Sequence, residues 1–534
     1  MIAIAAPYTA LLGVCLLGYF VVYPVFEYFR LRKYPNLSPL SGIYNIPFMM
    51  LASGGARSTH MVELHKKHPV IRTGPNSLSY GDTRAIKDIY GHGTKCTKDG
   101  QYLVTSGSHF HLADVIDKPD HSRKRKVLSA AYALKNLEEW EHKVADKTQK
   151  MMDQFDKRCT APLPKGQTVP NPEDLTVDYR KWANFFSLDA IADIGLSERL
   201  GFLDAGDDLI TVRRPDGTSY TCHFRECLYD NARKQSHIVW SYDWYRVLDK
   251  LTNLIPRYRK MGANGKLWDG IPNELALRRL ERHERGEKQD DFFHSLMEDK
   301  HGRPNNLEWG EIVAEVSIML NAGSVTTAIA LTNALHQLIK HPAAMRRLRE
   351  EVDTALDDDD DDDAASIVAP YAKIKHLPYT RACLDESLRL HPPTPQGLPR
   401  ATPAEGCPIL GAWVAGNTSV AVSALVAHRD ESVFPDADAF VPERWLGEAG
   451  KALQPYFIAF SAGARGCVGR NVSYLEQAVV LASVVRRYEF ALPGPRWEVR
   501  REETMNWLLG DMPVKVWLRE RERERVADDR GAAV

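Results

Sequence analysis

Between Ile2 and Phe26 the chain has no charged residue. As a helix this stretch would run roughly 37 Å at ~1.5 Å per residue, enough to cross a hydrocarbon core of ~30 Å with some tilt. Arg30, Arg32 and Lys33 follow at once, and such a basic flank places the chain beyond it on the cytosolic side. A cleaved signal peptide would carry a basic start and a shorter apolar core; both are missing. A buried core helix is disfavoured by the length and the flank. Residues 1–33 are therefore expected to form a single-pass membrane anchor with its basic edge.

Other absences narrow the rest. Eight cysteines are scattered through 534 residues with no CxxC pair, which argues against a zinc ribbon and reads as reduced thiols in a cytosol-facing protein. The 69 basic and 70 acidic side chains leave a net charge of -1, without the basic excess that a nucleic-acid partner needs. No G-x-G-x-x-G opens a helix after a strand, so no nucleotide or flavin fingerprint is visible. No internal repeat is present. Proline is absent from Leu307 to His341, between Pro304 and Pro342. That permits one helix of ~50 Å over Leu307–Lys340, and its apolar centre, Ile318–Leu335, should be buried.

What is present is mostly helical pattern. Pro35, Pro39 and Pro47 mark a stiff connector after the anchor. Val70–Arg72 and Ser77–Tyr80 read as strands and Thr83–Ile89 as a helix. Gly91–Asp120, rich in Gly, His, Ser and Thr, reads as a long loop of the kind that often carries function. Helical patterns dominate from His121. The aspartates Asp357–Asp363 repel one another and predict a solvated loop. Arg519–Arg525 alternates Arg and Glu with no apolar face and predicts a frayed, solvated tail.

The most specific signal is Phe460-Ser-Ala-Gly-Ala-Arg-Gly-Cys467-Val-Gly469. Gly463, Gly466 and Gly469 around one cysteine allow a tight loop whose backbone can approach a flat ligand closely. A helical pattern, Val472–Arg487, begins just after, and the dipole and free amides of a helix N-terminus favour a thiolate. Thiolate is the soft ligand of heme irons that cleave the O–O bond, and Arg465 can pair with a heme propionate. For an isolated cysteine a buried structural role is the usual reading; the ten-residue pattern sets it aside here.

This segment resembles the cysteine loop FxxGxRxCxG of the cytochrome P-450 superfamily, and other family motifs stand in the family's order. Glu386-Ser-Leu-Arg389 resembles its ExxR helix and Pro442-Glu443-Arg444-Trp445 its PERF-like segment. Ala322-Gly323-Ser324-Val325-Thr326-Thr327 resembles the oxygen-binding helix motif. His121-Ser-Arg-Lys-Arg125 resembles the WxxxR helix with His for Trp. The resemblance covers about Tyr34 to Trp517 and is nearest to fungal microsomal members around the benzoate para-hydroxylase group. It implies a mainly α fold with a small β region, as a single large heme domain over 34–518 after an N-terminal transmembrane helix, with a charged tail over 519–534. It implies heme b with Cys467 as the axial thiolate and metal ligand. His121, Arg125, Arg400, Phe460, Arg465 and Gly469 would surround the cofactor, with Thr326, Gly323 and Val325 at the oxygen-activating turn. An NADPH-dependent reductase, a lipophilic small-molecule substrate and an endoplasmic reticulum membrane with the catalytic domain facing the cytosol complete the expectation. Val325 departs from the pattern: the family usually carries Asp or Glu there, and valine neither ionises nor hydrogen-bonds through its side chain.

The residues themselves agree with this picture. Glu386 and Arg389 sit at i, i+3 on one helix face, and Arg444 can complete a structural ion network with them. His121 and Arg125, at i, i+4, can reach a propionate pair, which leaves Arg123, Lys124 and Lys126 facing outward as a basic patch for an acidic reductase. His109 and His111 read as ordinary loop residues, and His428 and Arg429 as packing or surface residues. By resemblance the substrate pocket draws on the loop before His121, on Ala314–Thr327, on Thr394–Leu398 and on Asn506–Leu509. Leu320, Ala322, Val325, Leu398, Trp507 and Leu508 make it apolar. The helix and late-turn stretches offer no arginine to clamp a carboxylate, so a lipophilic natural-product intermediate, aromatic ones included, is favoured over benzoate itself. Two other readings stand beside the monooxygenase: a heme-thiolate isomerase or dehydratase working without a reductase, and a catalytically silent heme or ligand carrier at the membrane.

Overall fold

The computed structural model describes residues 30–524 except 133, 288 and 358–366, together with Leu11, Gly13–Cys15, Leu17, Gly18 and Val22. Most of the expected anchor, the aspartate run after Asp357 and the tail from 525 therefore lie outside the described residues. The upstream apolar side chains that are described, Leu11, Val14, Leu17 and Val22, are all exposed.

The expected boundary at residue 33 falls inside the fold. Arg30 donates to Asn76 Oδ1 at 2.6 Å, to the Gly416 carbonyl at 2.9 Å and to Thr418 Oγ1 at 2.9 Å, and Leu31 is buried. The expected strands are found as β1 (Val70–Gly74) and β2 (Ser77–Tyr80). They join β3 (Thr97–Lys98), β4 (Arg400–Ala401) and β5 (Ser419–Val422) in a sheet of order β1-β2-β5-β4-β3. β5 runs parallel to β2 with Val420 opposite Leu78, and antiparallel to β4. Alternation along β2 and β5 turns Leu78, Tyr80, Val420 and Val422 to one face. There they pack with Ile86, Ile89 and Ile458 into a core that sits beside the cysteine loop.

Helices make up most of the domain. Six of them build the site: α1 (Lys118–Ala131), α2 (Tyr179–Leu196), α3 (Trp309–Lys340), α4 (Pro342–Asp357), α5 (Pro378–Leu390) and α6 (Arg470–Arg487). α3 has 32 residues and starts with a capping box in which Glu308 and Glu311 exchange backbone bonds, satisfying free amides of its first turn. It ends at His341, where Pro342 blocks continuation. By length and composition α3 could cross a membrane, but α2, α5 and α6 pack around it and its apolar residues belong to the main core. The α2–α3 crossing is close: a Cβ on Gly323 would lie 2.6 Å from Ile191 Cγ1. α5 begins with Pro378 at its first turn and ends before Pro392 and Pro393.

The C-terminal segment differs from expectation as far as it is described. Arg519 forms bonds of 3.1 and 2.9 Å to the Asp353 carboxylate on α4, and buried Glu522 pairs with Arg487 at 3.2 Å. Alternating charge gave no apolar face, but the partners lie on α4 and α6, which sequence spacing does not reveal.

Candidate active site

The cysteine loop is shaped by backbone geometry. Ser461 and Gly463 both adopt positive φ, 59° and 65°, and a Cβ on Gly463 would strike the Tyr90 carbonyl. Only glycine allows that approach. The Cys467 amide donates to the Phe460 carbonyl at 2.9 Å and the Gly466 amide to the Gly463 carbonyl at 3.0 Å. Arg125 Nη1 donates to the Gly466 carbonyl at 2.8 Å, tying α1 to the loop. Phe460 packs on Tyr474 of α6 with ring centroids 5.0 Å apart, and Gly469 caps the start of α6.

Cys467 lies deep in the fold yet its side chain is open, so it faces internal space. Burial pushes its thiol up, opposed by the Gly469 and Arg470 amides and the Arg125 charge. A bound metal would deprotonate the group outright. On α3, Ala322 is open and Thr326 half-buried, while Leu320, Ser324, Val325 and Thr327 are buried. Thr326 Oγ1 donates to the Ala322 carbonyl at 2.7 Å. Gly323, one turn before Thr326, lies where α3 meets Ile191 of α2. Leu320 is wholly in the core rather than at an open surface.

A group of cations gathers beside the loop. Arg465 donates to the Val115 and Ile116 carbonyls at 2.6 and 2.9 Å. Arg400 is buried, lies 5.0 Å over the Tyr90 ring and bonds the Pro399 carbonyl at 3.1 Å. Lys98, on β3 opposite Arg400, is buried and bonds the Ala113 carbonyl. Burial, then Arg400 and Arg465, push the Lys98 ammonium well below its usual range. Burial, then Arg465, Arg125 and Lys98, bring His121 down to about 4. The opposing acid is Asp114, itself pushed up to about 7 by burial. Buried charge of one sign is costly unless paired. This surplus suits a ligand with two anionic groups, and with a thiol at the centre and a glycine cradle around it the residues fit an iron protoporphyrin.

The structure corrects one expected surface. Lys124 does not face outward: it is buried and pairs with Glu311 at 2.7 Å and Glu315 at 3.6 Å, while Arg123 is paired with Asp120 at 2.7 Å. Of the three, Arg123 and Lys126 remain exposed as expected. Two contributors were missed. Lys98 has no motif around it and reaches the site only through β3–β4 pairing. Trp445 donates from Nε1 to Glu386 Oε2 at 2.8 Å. His428, expected to pack or lie at the surface, packs: wholly buried, it bonds the Arg389 carbonyl at 3.1 Å and receives the Ile458 amide at 3.0 Å.

The loop, the long helix and the buried ExxR pair together define a heme-thiolate architecture, and comparison with known proteins agrees. Residues 38–516 match the Cytochrome P450 family. A Cytochrome P450 monooxygenase of Aspergillus terreus is 30% identical over 497 residues, spanning 88% of this chain and 94% of that protein. Benzoate 4-monooxygenase bphA of Aspergillus niger is 28% identical over 509 residues, spanning 91% and 93%. Cytochrome P450 monooxygenase atr2 of Stereocaulon alpinum is 30% identical over 475 residues, spanning 86% and 85%. The chain belongs to the cytochrome P450 family. It is a monooxygenase whose cofactor is heme with a cysteine thiolate ligand, of a family that needs a redox partner and takes hydrophobic substrates.

Proposed function

We propose that the protein is a membrane-bound monooxygenase that hydroxylates a lipophilic small molecule, aromatic intermediates of secondary metabolism included, with electrons from a separate NADPH-dependent reductase. The observation that carries the site assignment is Cys467 opening onto internal space beside buried Lys98, Arg400 and His121 and half-buried Arg465. In this reading Cys467 is the iron ligand, Phe460 and Gly469 shape its loop, and His121, Arg125, Arg400 and Arg465, with Lys98, hold the propionates. When bound, the heme supplies the oxygen activation for insertion into a C–H bond. Thr326 holds a hydroxyl proton at Oγ1 on the open face of α3, and the apolar lining limits water. Val325, packed in the core, supplies no proton.

The heme domain runs from residue 30 in this reading, after an apolar anchor. Exposed Leu11, Val14, Leu17 and Val22 support membrane attachment, as do exposed Ile46, Met50, Leu251, Leu254 and Ile255 on the surface near 45–50 and 251–255. A domain facing the cytosol follows from the basic flank, and likeness to fungal microsomal relatives supports an endoplasmic reticulum membrane. Kinship with a benzoate 4-monooxygenase makes aromatic substrates reasonable, while the absence of an arginine on the open face of α3 favours a neutral one.

The test is coexpression with a reductase and exposure to organic extracts of a strain lacking the gene. NADPH-dependent conversion of one compound is expected. Cys467→Ala should lose the red-shifted band of the reduced, CO-bound protein together with most heme; retention of that band overturns the ligand assignment. Product formed without NADPH would favour the isomerase reading, which Val325 supports.

A further inference from the structure

Residues 109–116, in the loop that leads to α1, are held at two separate places. At one end Arg465 of the cysteine loop bonds the Val115 and Ile116 carbonyls, and Lys98 the Ala113 carbonyl. At the other end the stretch is seated on the first two turns of α3. His109 Nε2 lies 3.2 Å from Glu308 Oε2. Its ring rests where Gly310 has no side chain, and a Cβ there would strike it. The Leu112 amide donates to Glu315 Oε1 at 2.9 Å, and Leu112 itself is buried in the core that holds Ile312 and Val316. Lys124 of α1 meets the same Glu315 oxygen at 3.6 Å and Glu311 at 2.7 Å. The stretch thus bridges the start of α3 and the cysteine loop.

Glu311, Glu315, Ala322 and Thr326 follow one another at steps of four, seven and four residues, which keeps them on one stripe of a helix. Ala322 is the open part of that stripe and Thr326 is half-buried. Glu315, 5% exposed, continues the stripe toward the loop, so the loop closes the N-terminal end of the face that carries Thr326. Burial pushes the Glu315 carboxyl up to about 7, opposed by the Lys124 charge and the Leu112 amide. A buried amide left without its acceptor is costly, whereas the more exposed His109–Glu308 pair is worth little alone.

We propose that Glu315 and His109 are positioning residues that seat residues 109–116 over this end of the site, and that the seating selects by size what reaches Thr326. This role rests on the monooxygenase reading of the site and adds a determinant of which substrates it admits. Both residues act through the loop and not on the reacting atoms.

The experiment uses the full-length, heme-loaded protein and two probes that bind heme iron directly, imidazole and the bulkier phenylimidazole, each followed by the shift of the heme band. Glu315→Ala should admit phenylimidazole about tenfold faster, on the scale of one lost bond to a charged acceptor, and imidazole at nearly the wild-type rate. Glu315→Gln, which keeps an acceptor for Leu112, should stay near the wild type. Gly310→Ala pushes the His109 ring aside while favouring the helix. Its heme content and melting temperature should hold while phenylimidazole enters roughly threefold faster, as for a weak surface pair released. In a His109→Ala background the same Gly310→Ala change should have no effect, because no ring is there to displace. With the extract fraction that the wild type converts, KM should move more than kcat. If Glu315→Ala fails to hold heme, the Gly310 and His109 variants carry the test. Equal acceleration of both probes overturns the proposal. So does an unchanged phenylimidazole rate in the heme-loaded variants, or an effect of Gly310→Ala that persists without His109. A protein that shows the expected probe pattern yet converts no fraction with NADPH overturns the monooxygenase reading alone.

Discussion

Arg389 and Glu386 grip each other at both ends: Nε to Oε2 and Nη2 to Oε1 are each 2.8 Å, with both side chains wholly buried. Arg389 Nη1 also donates to the His428 and Ala437 carbonyls at 2.8 and 2.6 Å, and Arg444 Nε reaches Glu386 Oε1 at 3.1 Å. The pair therefore fastens α5 to the segment leading into the cysteine loop. Removing one member leaves a buried charge unpaired, at a typical cost of ~3–5 kcal/mol. Glu386→Ala or Arg389→Ala should yield little heme-loaded protein, measured as the heme-to-protein absorbance ratio. A stable Glu386→Ala enzyme with normal heme would place this residue outside the structural network.

His428 predicts a pH dependence. Burial and the Arg389 charge lower its pKa to about 3, against 6.5 for an ordinary histidine. Below about pH 6.5 the unfolded chain takes a proton that the folded chain refuses, so stability falls with acidification, by roughly 1.4 kcal/mol per pH unit for this group. His428→Gln should flatten the melting temperature between about pH 4 and 6. An unchanged slope would assign the acid sensitivity to other buried histidines.

Lys98 should matter for holding heme rather than for folding. Lys98→Met keeps the stem and removes a charge that the protein alone leaves uncompensated. We expect heme to leave about tenfold faster, on the scale of one lost charge-assisted bond of ~1.5 kcal/mol, with the heme-free protein slightly more stable to heat. Transfer of heme to an acceptor protein measures the first and calorimetry the second. Unaltered heme loss would exclude Lys98 from the propionate site.

Truncation separates anchor from domain at a defined residue. Deleting 1–29 should free the protein from membranes, in part if the apolar side chains near 251–255 also attach, and leave heme content unchanged. Deleting 1–33 also removes Arg30, with its three bonds, and buried Leu31. Loss of a buried leucine costs ~2–4 kcal/mol, so this shorter protein should melt several degrees lower. Equal melting of the two truncations would contradict the docking of Arg30 and Leu31.

Much of this was legible in one dimension because local chemistry demands it. A proline-free apolar run bracketed by Pro304 and Pro342 can hardly be anything but one buried helix, and it was found over Trp309–Lys340. Glycines around Cys467 imply a tight loop, and Ser77-Leu-Ser-Tyr80 alternates as a strand does. Lys124 escaped because three adjacent basic residues suggest a solvated face, whereas α1 lies against the acidic start of α3. Gly323 was grouped with Thr326 by motif, and the structure adds that its missing Cβ is what lets Ile191 of α2 approach α3.

Residue type and spacing alone determined the family, the cysteine loop, the ExxR pair and the departure at Val325, because each depends on neighbours within about ten positions. Tertiary structure alone decided which charges lose their solvent. Lys98 and Arg400 meet only where β3 pairs with β4, and Lys124 meets Glu311 and Glu315 only where α1 lies against α3. Burial sets the protonation of such groups, and burial is a property of packing between segments far apart in the chain, which no local pattern encodes.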